Sequence, residues 1–342
     1  MRVASRSTKL ADAQARPHVA LVGGDTLLAR ELRDLLAGDK PAPRIELISA
    51  NAENLAVLGV EDEEAVVMSP LQAASLEGAQ VAFLVGSPAS SRRALKLNPP
   101  GGPLLIDLTA ALEDQPAARL RAPSAEPERT ASKPAAIQVI AHPAAIALAM
   151  LLSTLAKHVT IRKSIVHIFE PASERGKKGL DELRQQTVAV LSFHKLKTDV
   201  FDAQLSFNML ARYGEEAMEP LEGVEQRIER HLASLLAAWP AIPMPSLRLI
   251  QAPVFHGHSF SVWVEFEENP GPQALARALA DTGLDVRPDD PPSNVGIAGQ
   301  SGLSVGAIAT DPNQPRATWF WMVADNLRLA AENALAVARE RL

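Results

Sequence analysis

The stretch HVALVGGDTLLARELRDLLAG, residues 18–38, most constrains how this chain can fold. An apolar run over residues 18–22 is followed by a Gly-Gly turn and then by a helix with leucines along one stripe, which predicts the first β-α unit of a parallel sheet. Three later apolar runs, at residues 44–50, 79–90 and 102–110, are continuous rather than alternating. Continuous apolar strands separated by helices indicate burial on both faces, so we predict an α/β fold with a Rossmann-like, doubly wound parallel sheet.

The pattern changes after Lys157, which indicates a second domain. A strand is predicted over residues 158–171, and helices are predicted over residues 172–192 and 224–239. The segment SLRLIQAPVFHGHSFSVWVEFEE, residues 246–268, alternates with period two, which is typical of an antiparallel sheet with one covered face. These elements predict a C-terminal α+β domain.

We expect three parts along the chain. Residues 1–17 are polar, contain no apolar core or cleavage site, and predict a disordered leader. We expect residues 18–144 to form the α/β domain and residues 145–322 the α+β domain; the family resemblance given below adds residues 323–342 to the first, as a Rossmann-like NAD(P)-binding-type domain. Residues 113–136 are rich in Pro, Ala and charge, and they predict an exposed connector.

The composition of the chain excludes several classes of function. Its formal net charge is -6 and its basic residues are dispersed, which argues against nucleic-acid binding. The longest apolar run, AAIALAMLLSTLA, is shorter than the roughly 18 residues that a membrane span needs, so we expect no membrane span and a cytoplasmic location. The chain contains no cysteine, which excludes disulfides, thiolate metal sites and cysteine nucleophiles.

The stretch VIAHPAAIALAMLLSTLA, residues 139–156, predicts a strand, an Ala-His-Pro break and then a helix whose first turn has only small side chains. The backbone N–H groups of a first helical turn lack partners within the helix and favour a thiolate, an oxyanion or a phosphate. At this helix end the chain offers only Ala144 and Ala145.

A second candidate anion site is the turn VGGDTLLA, residues 22–29. It lies where a dinucleotide-binding fold has its phosphate loop, and Gly23, Gly24 and Thr26 are its candidate cofactor-binding residues. The turn lacks the later glycines of such a loop, and Asp25 would repel phosphate while it caps the helix. A weak nucleotide site and a turn kept only for its structure therefore both remain open.

Two further motifs contain side chains capable of chemistry. His256 and His258 are two residues apart on a predicted strand, so both would face the same way. A metal site needs a third ligand, which the sequence does not show, so we expect no metal, although one histidine could serve as a general base. Arg175, Lys177 and Lys178 surround a predicted helix start, which fits either an anion site or a solvated, capped helix.

Taken in order, these segments resemble the aspartate-β-semialdehyde dehydrogenase family from residue 18 to the C-terminus. The resemblance is carried by VALVGG, VIAHPAAIAL, SERGKKGLDELRQQ, QLSFNML, QAPVFHGHSFSVWVEFE, GLSVGAIATD and FWMVADNLRLAAENALAVA. It implies an N-terminal Rossmann domain, a C-terminal α+β domain that forms a homodimer, and reduction of aspartyl phosphate to the semialdehyde with NADPH. In that family a cysteine at a helix N-terminus attacks the acyl phosphate, and a histidine moves the proton.

The resemblance also assigns catalytic positions. Ala145 stands where the family has its cysteine, and His258 stands where the family has its general base. Gln251 replaces the arginine that pairs with the substrate carboxylate, and Glu170 replaces the glutamine that orients the substrate. A further family glutamate matches Glu222.

The cofactor side departs from the family as well. The family's glycine loop is reduced to Gly23, and Leu329 with Ala330 replaces a Lys-Gly pair, whereas Asn326 and Arg328 are retained. We therefore expect binding of NADP or NAD to be weakened.

These substitutions share a direction, because the nucleophile, the carboxylate-binding arginine and two loop glycines are all replaced. The chain resembles the cysteine-less Usg-type paralogues of the family more than the working enzymes. We therefore expect a homodimer that has lost the parent activity and keeps a binding or regulatory role, with a small anionic metabolite as its candidate ligand. Two alternatives stay open: a different NAD(P)- or oxo-acid-dependent enzyme with His258 as its base, and a serine nucleophile at Ser259.

Overall fold

The computed structural model describes residues 16–50, 57–61, 64–127 and 135–342. These residues form two compact units, one comprising 16–123, 135–140 and 331–342, the other 124–127 and 141–330. The predicted N-terminal leader lies outside the described residues as far as residue 15. In the described ranges, no helix combines the length and the apolar character that crossing a membrane requires.

The first unit is built on a six-stranded parallel sheet. Its strands and helices are β1 (His18–Val22), α1 (Leu27–Ala37), β2 (Arg44–Ile48), β3 (Val57–Glu61), β4 (Glu64–Met68), α2 (Ala73–Leu76), β5 (Val81–Leu84), α3 (Pro88–Leu97), β6 (Leu104–Asp107), β7 (Ala118–Arg121) and β8 (Ile137–Ile140). The sheet order is β2-β1-β5-β6-β8-β7, and every neighbouring pair is parallel. This confirms the predicted α/β class.

The central strands β1 and β5 of this sheet are largely apolar because they are buried on both faces. Residues 19–22 of β1 and all four residues of β5 are buried. Helix α1 buries Leu32 and Leu36 of its predicted leucine stripe, and Thr26 caps its first turn by accepting a hydrogen bond from the Ala29 N–H.

Two parts of the first unit differ from the sequence prediction. Strand β7 lies inside the segment predicted as an exposed connector, and it pairs with β8. A strand of four residues that contains two arginines does not stand out from its Pro- and Ala-rich surroundings. Strands β3 and β4 form a separate antiparallel hairpin, which the sequence pattern does not predict.

The second unit contains a six-stranded mixed sheet. Its strands and helices are α4 (Pro143–Ala156), β9 (Ile161–Glu170), α5 (Gly176–Leu191), α6 (Leu221–Leu236), β10 (Ser246–Gln251), β11 (His258–Phe266), α7 (Pro272–Ala280), β12 (Asp285–Arg287), α8 (Asn294–Ile297), β13 (Ser304–Thr310), β14 (Ala317–Ala324) and α9 (Asn326–Arg339). A short 3-10 helix, Ala172–Arg175, links β9 to α5. Helix α9 begins in this unit and ends in the first.

The order of the second sheet is β10-β9-β11-β14-β13-β12. The pairs β9–β11, β11–β14 and β13–β14 are antiparallel, as the period-two pattern predicts. Strand β10 instead pairs parallel with β9, because residues 252–257 interrupt the segment predicted as one antiparallel run. His256 lies in this interruption and not on a strand with His258, so the expected side-by-side pair of histidines is not formed.

Helix α4 is the stretch that the sequence singled out for its small first turn. Eleven of its residues are buried, and the helix packs against α6 and α7. A helix that is apolar on all sides belongs in a protein interior, which explains why its sequence shows no polar face.

Candidate functional site

The candidate site of the second unit lies where two antiparallel strands end beside a helix start. Glu170 is the last residue of β9 and His258 is the first of β11, and Ser259 is paired with Phe169 in the sheet. His258 is also paired with Ala324 at the end of β14, two residues before α9 begins at Asn326. The sheet register therefore brings these chain ends to one edge.

Three side chains meet at this edge. The Nε2 atom of His142 lies 3.7 Å from Glu174 Oε2, and the Nε2 atom of His258 lies 3.9 Å from Glu174 Oε1. The two imidazole rings are tilted, with their centroids 5.6 Å apart. His258 is 1% exposed, and within the described residues neither of its nitrogens has a hydrogen-bond partner. We call His142, Glu174 and His258 the histidine–glutamate cluster.

Asn326 holds the carboxylate of this cluster in place. Its Nδ2 donates a hydrogen bond of 2.8 Å to Glu174 Oε1, and its Oδ1 accepts hydrogen bonds from the Ser173 hydroxyl and the Gly257 N–H. These hydrogen bonds use both lone pairs of Oδ1 and one N–H of Nδ2 inside the second unit. The cofactor contact expected for Asn326 from the family resemblance stays a prediction.

The first turn of α4 is capped by a histidine. The Nδ1 atom of His142 accepts a hydrogen bond of 3.2 Å from the Ala144 N–H, and the His142 N–H donates to His231 Nδ1 at 2.9 Å. Ala145, at the family's thiol position, is completely buried and contributes only a methyl group. The first turn of α4, for which the sequence shows no partner, is therefore connected to the histidine–glutamate cluster through its capping residue, His142.

A network of charged side chains lies next to this cluster in the chain. Arg175 contacts Glu170 at 3.2 Å and Glu219 at 2.9 Å, and Arg227 also pairs with Glu219. Arg175 further lies over the ring of Tyr213. Both guanidinium groups are thus already engaged by acidic side chains of the protein itself.

Gln251 is held by internal hydrogen bonds. Its Oε1 accepts from the Tyr213 hydroxyl at 2.5 Å, and its Nε2 donates to the backbone oxygens of Glu170 and Ala252. The side chain is completely buried. It therefore supplies neither the positive charge nor the free donors that an arginine at this position would offer to a carboxylate.

Burial dominates the protonation of the site. Burial raises the pKa of Glu170 to about 8, although the positive charge of Arg175 acts to lower it. Burial also raises the pKa of Glu174, although the hydrogen bond from Asn326 acts to lower it. Burial also lowers the pKa of His258 to about 3, and burial together with the charge of His258 lowers the pKa of His142. Both imidazoles are therefore neutral at neutral pH. The lone pair on Nδ1 of His142 accepts from the Ala144 N–H, whereas neither nitrogen of His258 has a hydrogen-bond partner among the described residues.

The remaining residues predicted for the second unit have other surroundings. Glu222 is exposed and accepts a hydrogen bond from Gln226, whereas Glu219, three residues earlier, joins the charge network. Lys177 and Lys178 are exposed on α5. The Ser259 hydroxyl bonds Asn294 and does not contact His258, so the proposed serine nucleophile lacks a base.

Sequence reasoning missed the contributions of His142, Glu174, Glu219, Tyr213 and Arg227. The available signal was the Ala-His-Pro break, because a histidine directly before a helix can cap it. These side chains come from four separate segments, which sequence spacing does not connect.

The glycine turn belongs to the first unit, and its backbone amides are engaged within the protein. The Gly23 and Gly24 N–H groups both donate to the Ile48 oxygen, at 2.8 and 3.2 Å. The Thr26 hydroxyl donates to the Gly23 oxygen. A Cβ at Gly23, whose φ is +99°, would lie 2.4 Å from Gly86, so close packing of two backbone segments explains this glycine.

Comparison with known proteins places the chain among semialdehyde dehydrogenases. The family model for the semialdehyde dehydrogenase dimerisation domain matches residues 152–329. The USG-1 protein homologs of Azotobacter vinelandii and Pseudomonas aeruginosa are 29% and 31% identical to this chain. These alignments cover 94% and 92% of this chain and 96% and 94% of the relatives.

Solved structures agree with this assignment. A probable aspartate-semialdehyde dehydrogenase from Pseudomonas aeruginosa has a TM-score of 0.79 and 27% identity, covering 95% of this chain and 98% of its own. The aspartate semialdehyde dehydrogenase of Candida albicans, solved with NADP, shares the fold with a TM-score of 0.67 and 15% identity, covering 96% and 98% of the two chains. The chain belongs to the semialdehyde dehydrogenase family, with USG-1 homologs among its relatives.

Proposed function

We propose that this family member has lost the aspartate-semialdehyde dehydrogenase reaction and serves as a homodimeric binding or regulatory protein. The observation that carries the proposal is the methyl group of Ala145, buried at the position of the family's thiol. The chain has no cysteine to replace it. Loss of a covalent nucleophile costs about 10⁶-fold in rate in a comparable serine enzyme.

The charges of the site support the same proposal. The parent substrate carries a carboxylate and a phosphate, which require cationic partners. Arg175 and Arg227 are paired with Glu170 and Glu219, and Gln251 is neutral. A small anionic metabolite remains the candidate ligand, but it needs a positive charge that these guanidinium groups do not leave free.

A nicotinamide cofactor is the second ligand that the family suggests. The internal hydrogen bonds of the Gly23 and Gly24 amides leave fewer donors for a pyrophosphate than an open glycine loop would. We therefore propose that binding of NADP or NAD is weakened. Calorimetric titration with both cofactors tests this: submicromolar affinity would contradict it.

The exposed face of the second sheet supports a homodimer. Trp263, Trp319 and Trp321 lie half-buried on this face, with Phe169 against Trp321. The indole N–H groups of these tryptophans donate to Asp311 or to the Pro292 oxygen, which leaves the flat apolar rings to be covered. Light scattering should give twice the chain mass, and a Trp263→Arg variant should shift the equilibrium to monomer; a monomeric parent protein would contradict the proposal.

The direct test of the lost reaction is a steady-state assay of the purified protein with aspartate semialdehyde, phosphate and NADP. The account predicts no NADPH formation above background. Turnover within about 10²-fold of a normal enzyme would contradict it, because an alanine cannot form the covalent intermediate.

A second candidate function is a different reaction in which His258 takes a proton from a bound oxo-acid. The observation in its favour is a buried imidazole without partners beside Glu174. The lowered pKa of about 3 makes His258 a weak base, which favours the binding role. Calorimetry with a panel of small oxo-acids, run on the parent and His258→Ala proteins, distinguishes the enzyme from the binding protein. Turnover that depends on His258 would support the enzyme.

A further inference from the structure

The histidine–glutamate cluster contains donor atoms that nothing in the described residues satisfies. Both nitrogens of His258 lack hydrogen-bond partners although the side chain is 1% exposed. A buried polar group without a partner is costly, so such a group in a native structure calls for a ligand, an ion or water. The nearest polar atoms to its Nε2 include a carboxylate oxygen, which is itself an acceptor when ionised.

The three donors are spaced like the ligands of a metal ion. One ligand atom from each of His142, Glu174 and His258 can be chosen so that all lie within 4.8 Å of one another. Around a tetrahedral ion with bonds of about 2.1 Å, ligand atoms are about 3.4 Å apart. The distances of 3.7 and 3.9 Å run to different oxygens of Glu174. With one ligand atom per residue, the three atoms lie within 4.8 Å of one another, so a metal ion would draw them together by up to about 1.4 Å.

Glu174 also differs from the other two carboxyl groups of this region in its ion-pair partners. Three carboxyl groups, of Glu170, Glu174 and Glu219, share this region with the guanidinium groups of Arg175 and Arg227. Glu170 and Glu219 form ion pairs with the arginines, whereas the ion-pair partners of Glu174 among the described residues are the two imidazoles alone. A divalent cation between Glu174 and the imidazoles would compensate this carboxylate.

The surroundings of the cluster resemble the supporting shell of a metal site. Ligating carboxylates are usually fixed by further hydrogen bonds, and Asn326 fixes Glu174 while Gly257 and Ser173 fix Asn326. Glu174 is 16% exposed, which provides a route for an ion to reach the cluster.

We propose that His142, Glu174 and His258 bind a divalent transition-metal cation of the Zn²⁺ type, with one coordination position left for water or an anionic ligand. Two histidines and one carboxylate form a known ligand set for such ions. The sequence prediction of no metal was based on the lack of a third ligand beside the HxH motif; the structure supplies two further ligands from α4 and from the turn after β9. This site does not depend on whether the parent reaction is lost.

Metal binding changes one hydrogen bond of the helix start. A metal on Nε2 of His142 places the ring proton on Nδ1, which now accepts from the Ala144 N–H at 3.2 Å. When the ion binds, the Ala144 N–H therefore loses Nδ1 of His142 as its hydrogen-bond acceptor. The first turn of α4 would then sense the occupancy of the site, and hydrogen exchange at Ala144 would report it.

Titration of the chelator-treated full-length protein with Zn²⁺ by calorimetry tests the proposal. We expect one ion per chain for the parent protein and for the control variant His256→Ala, which removes the other histidine of the same motif. Glu174→Gln and His258→Ala should each weaken the affinity by at least about 100-fold. Glu174→Gln keeps an oxygen for Asn326, so it tests the site even where His258→Ala fails to fold.

Substitution with Co²⁺ gives an independent readout, because its visible absorption reports coordination by nitrogen and oxygen ligands. The parent and His256→Ala proteins should show the same intense bands, and Glu174→Gln should lose them. The absence of stoichiometric Zn²⁺ binding overturns the proposal. Equal affinity in all four proteins also overturns it, since that result shows an adventitious ion only.

Discussion

Helices α1 and α4 each begin shortly after a parallel strand, and they differ in the groups that form hydrogen bonds with their first turns. At α1 the cap is Thr26, and the Gly23 and Gly24 amides donate to a neighbouring strand. At α4 the cap is His142, whose ring also faces Glu174 and, through it, His258. At the first helix start, the cap and the glycine amides form hydrogen bonds within the protein. At the second, the adjoining His258 has two nitrogens without a hydrogen-bond partner among the described residues.

The difference teaches that a helix start without a nucleophile need not be an empty site. Under the proposed loss of the parent reaction, Ala145 removes the family's covalent chemistry, but charged and polar residues lie around it. Charged and polar side chains still converge there, and the carboxyl group of Glu174 lies beside two imidazoles. We propose that such a site favours a cation over the parent's anionic substrate.

The largest loss of stability is expected from Arg175→Met, in the charge network next to the histidine–glutamate cluster. The change removes the guanidinium group that serves both Glu170 and Glu219 in a buried environment, and breaking a buried pair of this kind costs about 3 kcal/mol. Urea denaturation measures this loss. The double variant Arg175→Met/Glu170→Gln should recover part of it; full additivity of the two changes would show that the charges are not coupled.

A smaller effect is expected from Thr26→Ala at the first helix start. Loss of the hydroxyl that caps α1 should lower the free energy of unfolding by about 1 kcal/mol. Because the amides of this turn already form hydrogen bonds within the protein, the affinity for Zn²⁺ measured by calorimetry should be unchanged, and the affinity for NADP should change little. A large loss of NADP affinity would show that the turn still functions as a cofactor loop.

The smallest effect is expected from Glu340→Gln, a change in the first unit away from its glycine turn. The hydrogen bond and charge of Arg121 hold the pKa of Glu340 below its usual value. A lowered pKa stabilises the fold above the pKa of the unfolded chain, about 4.3, and this contribution is lost as the pH falls further. Thermal unfolding of the variant should therefore be slightly less sensitive to acid than that of the parent; an unchanged acid profile would contradict the pairing.

Sequence patterns predicted the strands whose burial produces a clear run or alternation of apolar residues. The continuous apolar runs of β1, β5 and β6 gave the parallel sheet, and the alternating SFSVWVEF gave an antiparallel strand. Strand β7 escaped because it is short and carries two arginines. The direction of β10 escaped because alternation shows which faces are covered and not which strand is the neighbour.

The candidate site was predictable only in part. His258, Gln251, Glu170 and Ala145 follow from the family resemblance, and the structure places the first three in the buried polar region of the second unit. Their partners did not follow, because the partnership of Glu174 with His142 and His258 depends on how a turn, a helix start and a strand end pack in three dimensions. Local sequence contains no record of such contacts.

The central claim, that the loss of the parent reaction extends beyond one residue, is tested most directly by Ala145→Cys. The purified variant is assayed beside the parent protein with aspartate semialdehyde, phosphate and NADP, after thiol titration shows that the new cysteine is reduced. We predict no turnover, because Gln251 cannot pair with the substrate carboxylate and the glycine turn is engaged internally. Turnover within about 10²-fold of a normal enzyme would contradict the account and would confine the loss to the nucleophile.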